Sequence, residues 1–428
     1  MPQTLLISEI FPPKTGGSGR WFWEIYRRMP RAQFTIAAGH DSGADTVDAT
    51  HQMDVVRLPL TLADWGLTSI SSLKAYWRAF WDLARLAKAR RIDRIHCGRC
   101  VPEGWIALGL KRVYGIPFDC YVHGEDANAA SSGAADGVLS SRQLRWMTKQ
   151  VMRQADGFIA NSRNSARIVI DQWGVPSDRV RLLHPGCDTK YFVPAAPDRA
   201  VRDALNWGGR PVIVTAGRLQ KRKGQDMLIR ALATVRQAVP DVLVAIIGDG
   251  EEHAALQALT IAEGQQEHVL FMGKISDEML KQSYQQADVF VLANRQIGTD
   301  IEGFGMVLLE AQACGTPVVA GASGGTAETM KPGETGYVVP CEEPHELAKT
   351  LIEMLTNPAR LEHMGRAARE WVVNRFEWDS LAQHAAGMFG VELPDANRFV
   401  GRNSSSECLA PLAPFGERGE TRGFAASQ

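Results

Sequence analysis

Long apolar runs are missing from this chain: nothing in its 428 residues approaches the ~18 consecutive apolar residues of a bilayer-crossing helix, so no membrane span is predicted. The opening MPQTLLISEIF has no basic stretch, and its apolar run is too short for a secretory leader. Cysteines are few and odd in number, 7 in all, which argues against a disulfide framework and for a reducing compartment. Cys97 and Cys100 form one C-x-x-C in HCGRC, without the second pair that would complete a zinc site. No two aspartates stand as D-x-D, there is no P-loop, and IFPPKTGGSGR lacks the G-x-G-x-x-G of a dinucleotide fingerprint. Neither a metal nor a redox cofactor is expected. Charge of one sign is lacking too, with 47 Lys and Arg against 48 Asp and Glu. With a sequence pI near 6.8 and no recognition motif, nucleic acid is not an expected partner. A cytoplasmic protein, or one peripheral on the cytoplasmic face of a membrane, is expected.

What is present is an ordinary globular composition, 45% hydrophobic and 22% charged, in a chain too long for one core. Short β-branched runs alternate with amphipathic stretches: TLLIS, FTIAA, DVVRL, RIDRIH, FDCYVH, GFIAN and VRLLH, then PVIVTA, DVLVAIIG, HVLFMG, DVFVLA and TPVVA. Strands separated by helical patterns imply βαβ units and parallel sheets. The spacing predicts an α/β protein with a first doubly wound domain over 1–190, a Pro- and Gly-rich linker over 191–210 and a second domain over 211–375. A helix over 376–391 follows, then a tail over 396–428 with no periodicity, expected to be disordered.

Four clusters carry chemistry. In AGRLQKRKG, small residues at a strand end let the chain turn, and Arg218 and Lys223 project toward the crevice where α/β sheets bind ligands, a placement suited to a diphosphate. Read alone, KRK is equally a solvated turn. In DIEGFGMVLLEAQ, Glu302 and Glu310 flank a Gly-Phe-Gly loop and a helix start, where backbone N–H groups can meet phosphate or sugar oxygens and carboxylates can hold hydroxyls. In CYVHGEDA, His123 ends a strand beside a glycine, with Asp126 a weaker candidate. The fourth is the loop of Gly16 and Gly17, which alone reads as a flexible turn.

Together, the Glu-x7-Glu of EGFGMVLLE, the upstream GR-x4-KG, the SGG-x2-E of Ser323 to Glu328 and the first-domain GG loop resemble the family 4 retaining glycosyltransferases of GT-B fold. The resemblance covers nearly all of residues 4–391 and implies two Rossmann-like domains facing each other across a cleft. It implies that Arg218 and Lys223, with Gly217, bind the donor diphosphate. It further implies that Glu302 and the amides of Gly303, Phe304 and Gly305, next to Met306, contact the transferred sugar, and that Glu310 holds the ribose. FMGKIS, with Lys274 and Ile275, would border the nucleobase, His123 would touch the donor sugar, and Gly16 and Gly17 would approach from the first domain. The wording of HPGCDTKYF is similar to phosphatidylinositol-mannoside-type mannosyltransferases, which favours GDP-mannose as donor, although Pro185 stands where many relatives have Asn; a UDP-sugar is the alternative.

The expected acceptor is a glycan or lipid-linked hydroxyl, bound by the first domain, where residues 1–195 hold 25 basic against 18 acidic side chains. The helical stretch 72–91 mixes Trp77, Phe80 and Trp81 with Lys74, Arg78 and Arg85, and suits either peripheral contact with an anionic membrane or packing within its own domain. Two other functions remain open at this level: a sugar-nucleotide epimerase of the same fold, and a non-catalytic sugar- or lipid-binding protein.

Overall fold

A computed structural model describes residues 2–14, 16–62, 65–124, 127–128, 139 and 141–393. Asp126 and the 396–428 tail lie outside the described residues. In the first half, β1 (Thr4–Ser8), β2 (Phe34–Gly39), β3 (Asp54–Leu58), β4 (Arg94–Cys97), β5 (Phe118–Val122), β6 (Gly157–Ala160) and β7 (Val180–Leu182) form one sheet in the order β3-β2-β1-β4-β5-β6-β7. Every pairing in it is parallel.

In the second half, β8 (Val212–Ala216), β9 (Leu243–Ile247), β10 (Val269–Gly273), β11 (Val289–Leu292), β12 (Val318–Gly321) and β13 (Gly336–Val339) form a parallel sheet in the order β10-β9-β8-β11-β12-β13. The central strands β1, β5, β8, β9 and β11 are buried residue by residue, because helices cover both faces. Such strands are largely apolar, which is why they stand out in the sequence; the buried charge in β5, Asp119, is paired with Arg94 and Arg181.

Strand order reverses between β1 and β4 and again between β8 and β11. Loops leaving neighbouring strands there diverge to opposite faces and open a crevice at the strands' carboxyl ends. The two crevices face each other.

The stretch 191–210, read from its sequence as a linker, is structured in its second half. A helix spans Arg199–Ala204, and Leu205 and Trp207 are buried in the core under β8 and β9. The predicted helix 72–91 runs over Ile70–Arg90 instead, beginning early because the Ser69 hydroxyl caps it by accepting from Ser72 N. After the helix Pro358–Arg375 the chain returns, and the helix Trp378–Phe389 packs Trp378, Leu381 and Ala385 against Leu6, Trp21 and Phe22 of the first domain. Arg28 Nε donates to Asp379 Oδ1 there at 2.7 Å. The two crossings touch: Cys187 N donates to Phe376 O at 2.7 Å, and a Cβ on Gly186 would lie 2.5 Å from that same oxygen.

Beneath the return helix, His96 is fully buried, with Nδ1 2.6 Å from the Tyr26 hydroxyl and Nε2 3.7 Å from Asp119. Burial, only partly offset by Asp119, pushes its pKa down to about 4. An unfolded chain protonates this histidine near pH ~6.5, so between these values the unfolded state binds the extra proton and stability falls as pH falls. Thermal unfolding between pH 7 and pH 5 is expected to lose roughly 2 kcal/mol through this group. A His96→Gln variant, which cannot titrate, should show a correspondingly flatter profile.

Candidate functional site

The second-domain wall of the cleft is built on glycine. Gly224, at φ +72°, ends the 221–223 turn, and a Cβ there would lie 1.8 Å from Ala293 O, so the turn can sit directly on the end of β11 only with glycine at this position. That close approach delivers two cations to one carboxylate. Lys223 Nζ lies 2.6 Å from Glu302 Oε2, and Arg222 pairs with the same oxygen and, through Nε, with Asp300 Oδ1 at 3.0 Å. Glu302 is 7% exposed. Its burial alone would push the carboxyl up, but Lys223 and Arg222 outweigh it and hold the group below its ordinary value, so it is ionised.

The first-domain wall comes from the helix Gly17–Tyr26 and the residue after β5. His123 Nε2 lies 2.7 Å from the carbonyl of Gly98, which follows β4. A carbonyl only accepts, so Nε2 carries a proton and Nδ1 is turned toward the Ser18 hydroxyl at 3.4 Å. The edges of Trp21 and Phe22 hold the ring, at centroid distances of 5.7 and 5.9 Å. The Nε2 proton is thus committed to Gly98, and Nδ1 is the ring nitrogen on the Ser18 side.

The loop 299–303 of the second domain docks into the first. Ile301 joins the first-domain core, and Asn128 Nδ2 donates to Thr299 O at 3.0 Å. A Cβ on Gly303 would meet His123 O at 2.0 Å, so only glycine permits this contact. Between the walls lies a cavity of about 250 Å³ bordered by Gly17, His123, Lys223, Glu302, Gly303, Phe304, Gly305 and Met306. Gly16 precedes the helix at the rim, as its N-cap.

Not every expected residue reaches this cavity. The Arg218 side chain is exposed, Gly217 and Ile275 lie outside the lining, and Lys274 is exposed after β10. Glu310, on the helix Met306–Ala313, is not part of the lining; it accepts from the Tyr284 hydroxyl at 3.1 Å, and burial pushes its pKa up. Conversely, Arg222, Ser18, Asn161 and Pro185 border the cavity and were not singled out as contacts. The only sequence signal for Arg222 is its place in KRK, where three neighbouring cations do not reveal which two turn inward.

Residues 15–191 match the glycosyltransferase family 4 model, and residues 198–371 match glycosyl transferases group 1. The GDP-mannose-dependent alpha-(1-6)-phosphatidylinositol monomannoside mannosyltransferase of Mycolicibacterium smegmatis is 33% identical over 381 residues, covering 87% of this chain and 94% of the relative. The chain belongs to the family 4 glycosyltransferases. A D-inositol 3-phosphate glycosyltransferase of Salinispora tropica is 29% identical over 90% of this chain and 83% of its own. In fold, this glycosyltransferase is similar to sucrose-phosphate synthase from Thermosynechococcus elongatus (TM-score 0.75, 22% identity, 91% of this chain and 98% of that one). It is equally similar to Anabaena HepE in complex with UDP (TM-score 0.74, 21% identity, 91% and 100%), which makes the architecture GT-B.

The ion cluster of this glycosyltransferase has a measurable signature. Replacing both cations, Arg222→Met with Lys223→Met, leaves Glu302 buried beside apolar stems. A loss of about 3 kcal/mol in unfolding free energy by denaturant titration is expected, and adding Glu302→Gln should recover most of it. A double variant as stable as the parent would show that the cluster contributes nothing to folding.

Proposed function

We propose that this glycosyltransferase moves mannose from GDP-mannose to a hydroxyl of a phosphatidylinositol-type glycolipid, with retention at the anomeric carbon. The reading is carried by Lys223 and Arg222 gathered on buried Glu302 in the interdomain cleft of a chain similar over 87% of its length to a GDP-mannose-dependent mannosyltransferase. As the anomeric C–O bond to phosphate breaks, negative charge grows on the departing diphosphate and positive charge on the sugar. Lys223, Arg222 and the amide end of the helix Met306–Ala313 neutralise the leaving group from fixed positions, with no metal required.

Glu302 is held by two cations, so it orients the sugar rather than attacking it. The acceptor oxygen then approaches from the face the diphosphate leaves, forming the new C–O bond while a donor phosphate oxygen takes its proton. His123 and Gly303, pressed together from opposite domains, set the sugar's position and exclude water.

The acceptor's lipid end has a matching surface on the first domain. The helix Ile70–Arg90 buries Tyr76, Ala79 and Leu83 but leaves Leu73 50% and Trp77 67% exposed beside Val113, bordering an apolar groove of about 510 Å³. Lys74, Arg78 and Arg85 stand exposed on the same helix and complement anionic headgroups. No helix among the described residues is long and apolar enough to cross a membrane, so contact of this kind is peripheral.

Thermal stabilisation by GDP exceeding that by UDP is expected, since a ligand bound only by the folded state raises its stability. Turnover with GDP-mannose and phosphatidylinositol monomannoside should survive a metal chelator and yield an α-linked product by NMR. A β-linked product, or loss of donor sugar without release of GDP, overturns the proposal. Arg222→Ala and Lys223→Ala should each lower kcat about 10²-fold. Trp77→Ser with Trp81→Ser should abolish sedimentation with phosphatidylinositol vesicles and leave GDP binding intact.

A further inference from the structure

The motif SGG-x2-E ends in a carboxylate that does not touch the cavity. Glu328, on the turn Thr326–Thr329 of the second domain, reaches across to the first. It accepts from Arg163 N at 2.8 Å and from Asn164 N at 3.1 Å, the first two amides of the helical segment 163–172. Ser162 caps the same end by accepting from Ser165 N, but a side-chain cap leaves the leading amides unpaired and the end positive. Glu328 supplies that missing partner from another domain.

The same carboxylate lies 3.0 Å from His184 Nε2, and the His184 ring stacks on Phe304 with centroids 5.3 Å apart. Three residues earlier, just before the turn, Gly325 N donates to Glu302 O at 3.0 Å. A Cβ at Gly325 would meet Gly303 O at 2.3 Å and Ser162 Oγ at 2.7 Å. The Glu302-Gly303-Phe304 strip is therefore clamped between the turn that carries Glu328 and the first-domain residues that Glu328 grips.

We infer that Glu328 is a positioning residue that latches the two domains shut, so that Glu302 and His123 face each other across the cavity only while its contacts to Arg163 N, Asn164 N and His184 are made. The pKa of Glu328 agrees in direction: burial opposes ionisation, but His184 and the two amides hold the carboxyl below its ordinary value. The latch requires only that the cleft be the reaction site; its kinetic consequence rests on the transferase reading above.

Small-angle scattering of the full chain without ligand, as parent, Glu328→Gln and Glu328→Ala, tests the latch without reference to substrate. Glu328→Ala is expected to have a larger radius of gyration, with Glu328→Gln between, because an amide oxygen still accepts one N–H. GDP affinity, measured by calorimetry, should stay within twofold, since Lys223 and Arg222 remain in place. With GDP-mannose, kcat should fall at least tenfold and the ratio of donor hydrolysis to transfer should rise. Should Glu328→Ala not fold, Glu328→Gln and His184→Gln must show the same trends. An unchanged radius together with unchanged kcat overturns the latch. Failure of GDP to bind the parent protein would count against the donor assignment and leave the scattering result to decide the latch alone.

Discussion

A carboxylate buried at 7% exposure is costly unless something compensates it, and Glu302 organises the cleft for that reason. Lys223 and Arg222 must be within reach, so the 221–223 turn must lie on the end of β11, which requires the glycine at 224. The same two cations that neutralise Glu302 are then already in place and largely buried, and the proposed reaction uses them on the departing diphosphate. In the proposed mechanism, folding and phosphate chemistry draw on one interaction.

The second constraint is contact between domains. Gly303 meets His123 O, Ile301 enters the first-domain core, and Glu328 reaches the start of the 163–172 helical segment. Each contact alone is small. Two of them lie in the strip 301–303 and the third on the turn packed against it, so the strip bearing Glu302 is shaped as much by the first domain as by its own. The double crossing of the chain ties the domains as well, with Cys187 N on Phe376 O and the Phe376 ring 5.9 Å from that of Phe304.

Much of the fold is legible in the sequence because buried parallel strands are rich in β-branched and apolar residues: twelve runs, the clearest being VIVT and FVLA, announce themselves. β13 does not, since Gly-Tyr-Val-Val is short and follows a turn that dominates its surroundings. The 191–210 stretch shows the complementary limit. Its Pro and Gly content reads as a linker, while the burial of Trp207 depends on a core assembled from distant strands. The site shows the same division: Lys223, Glu302, His123 and the Gly-Phe-Gly loop are recognisable from motif, whereas Arg222 is hidden among like-charged neighbours.

The sequence by itself determined the α/β alternation, the two doubly wound halves and the glycosyltransferase motif, because these depend on periodicity and on residues near one another along the chain. Only the tertiary structure decided that Arg222 joins Lys223 on Glu302, that Glu310 accepts from Tyr284, and that His123 commits Nε2 to Gly98. It also decided that Glu328 pairs across domains. Each of these depends on where side chains far apart in the sequence are brought by packing, and on which of several chemically equivalent charges is thereby removed from water.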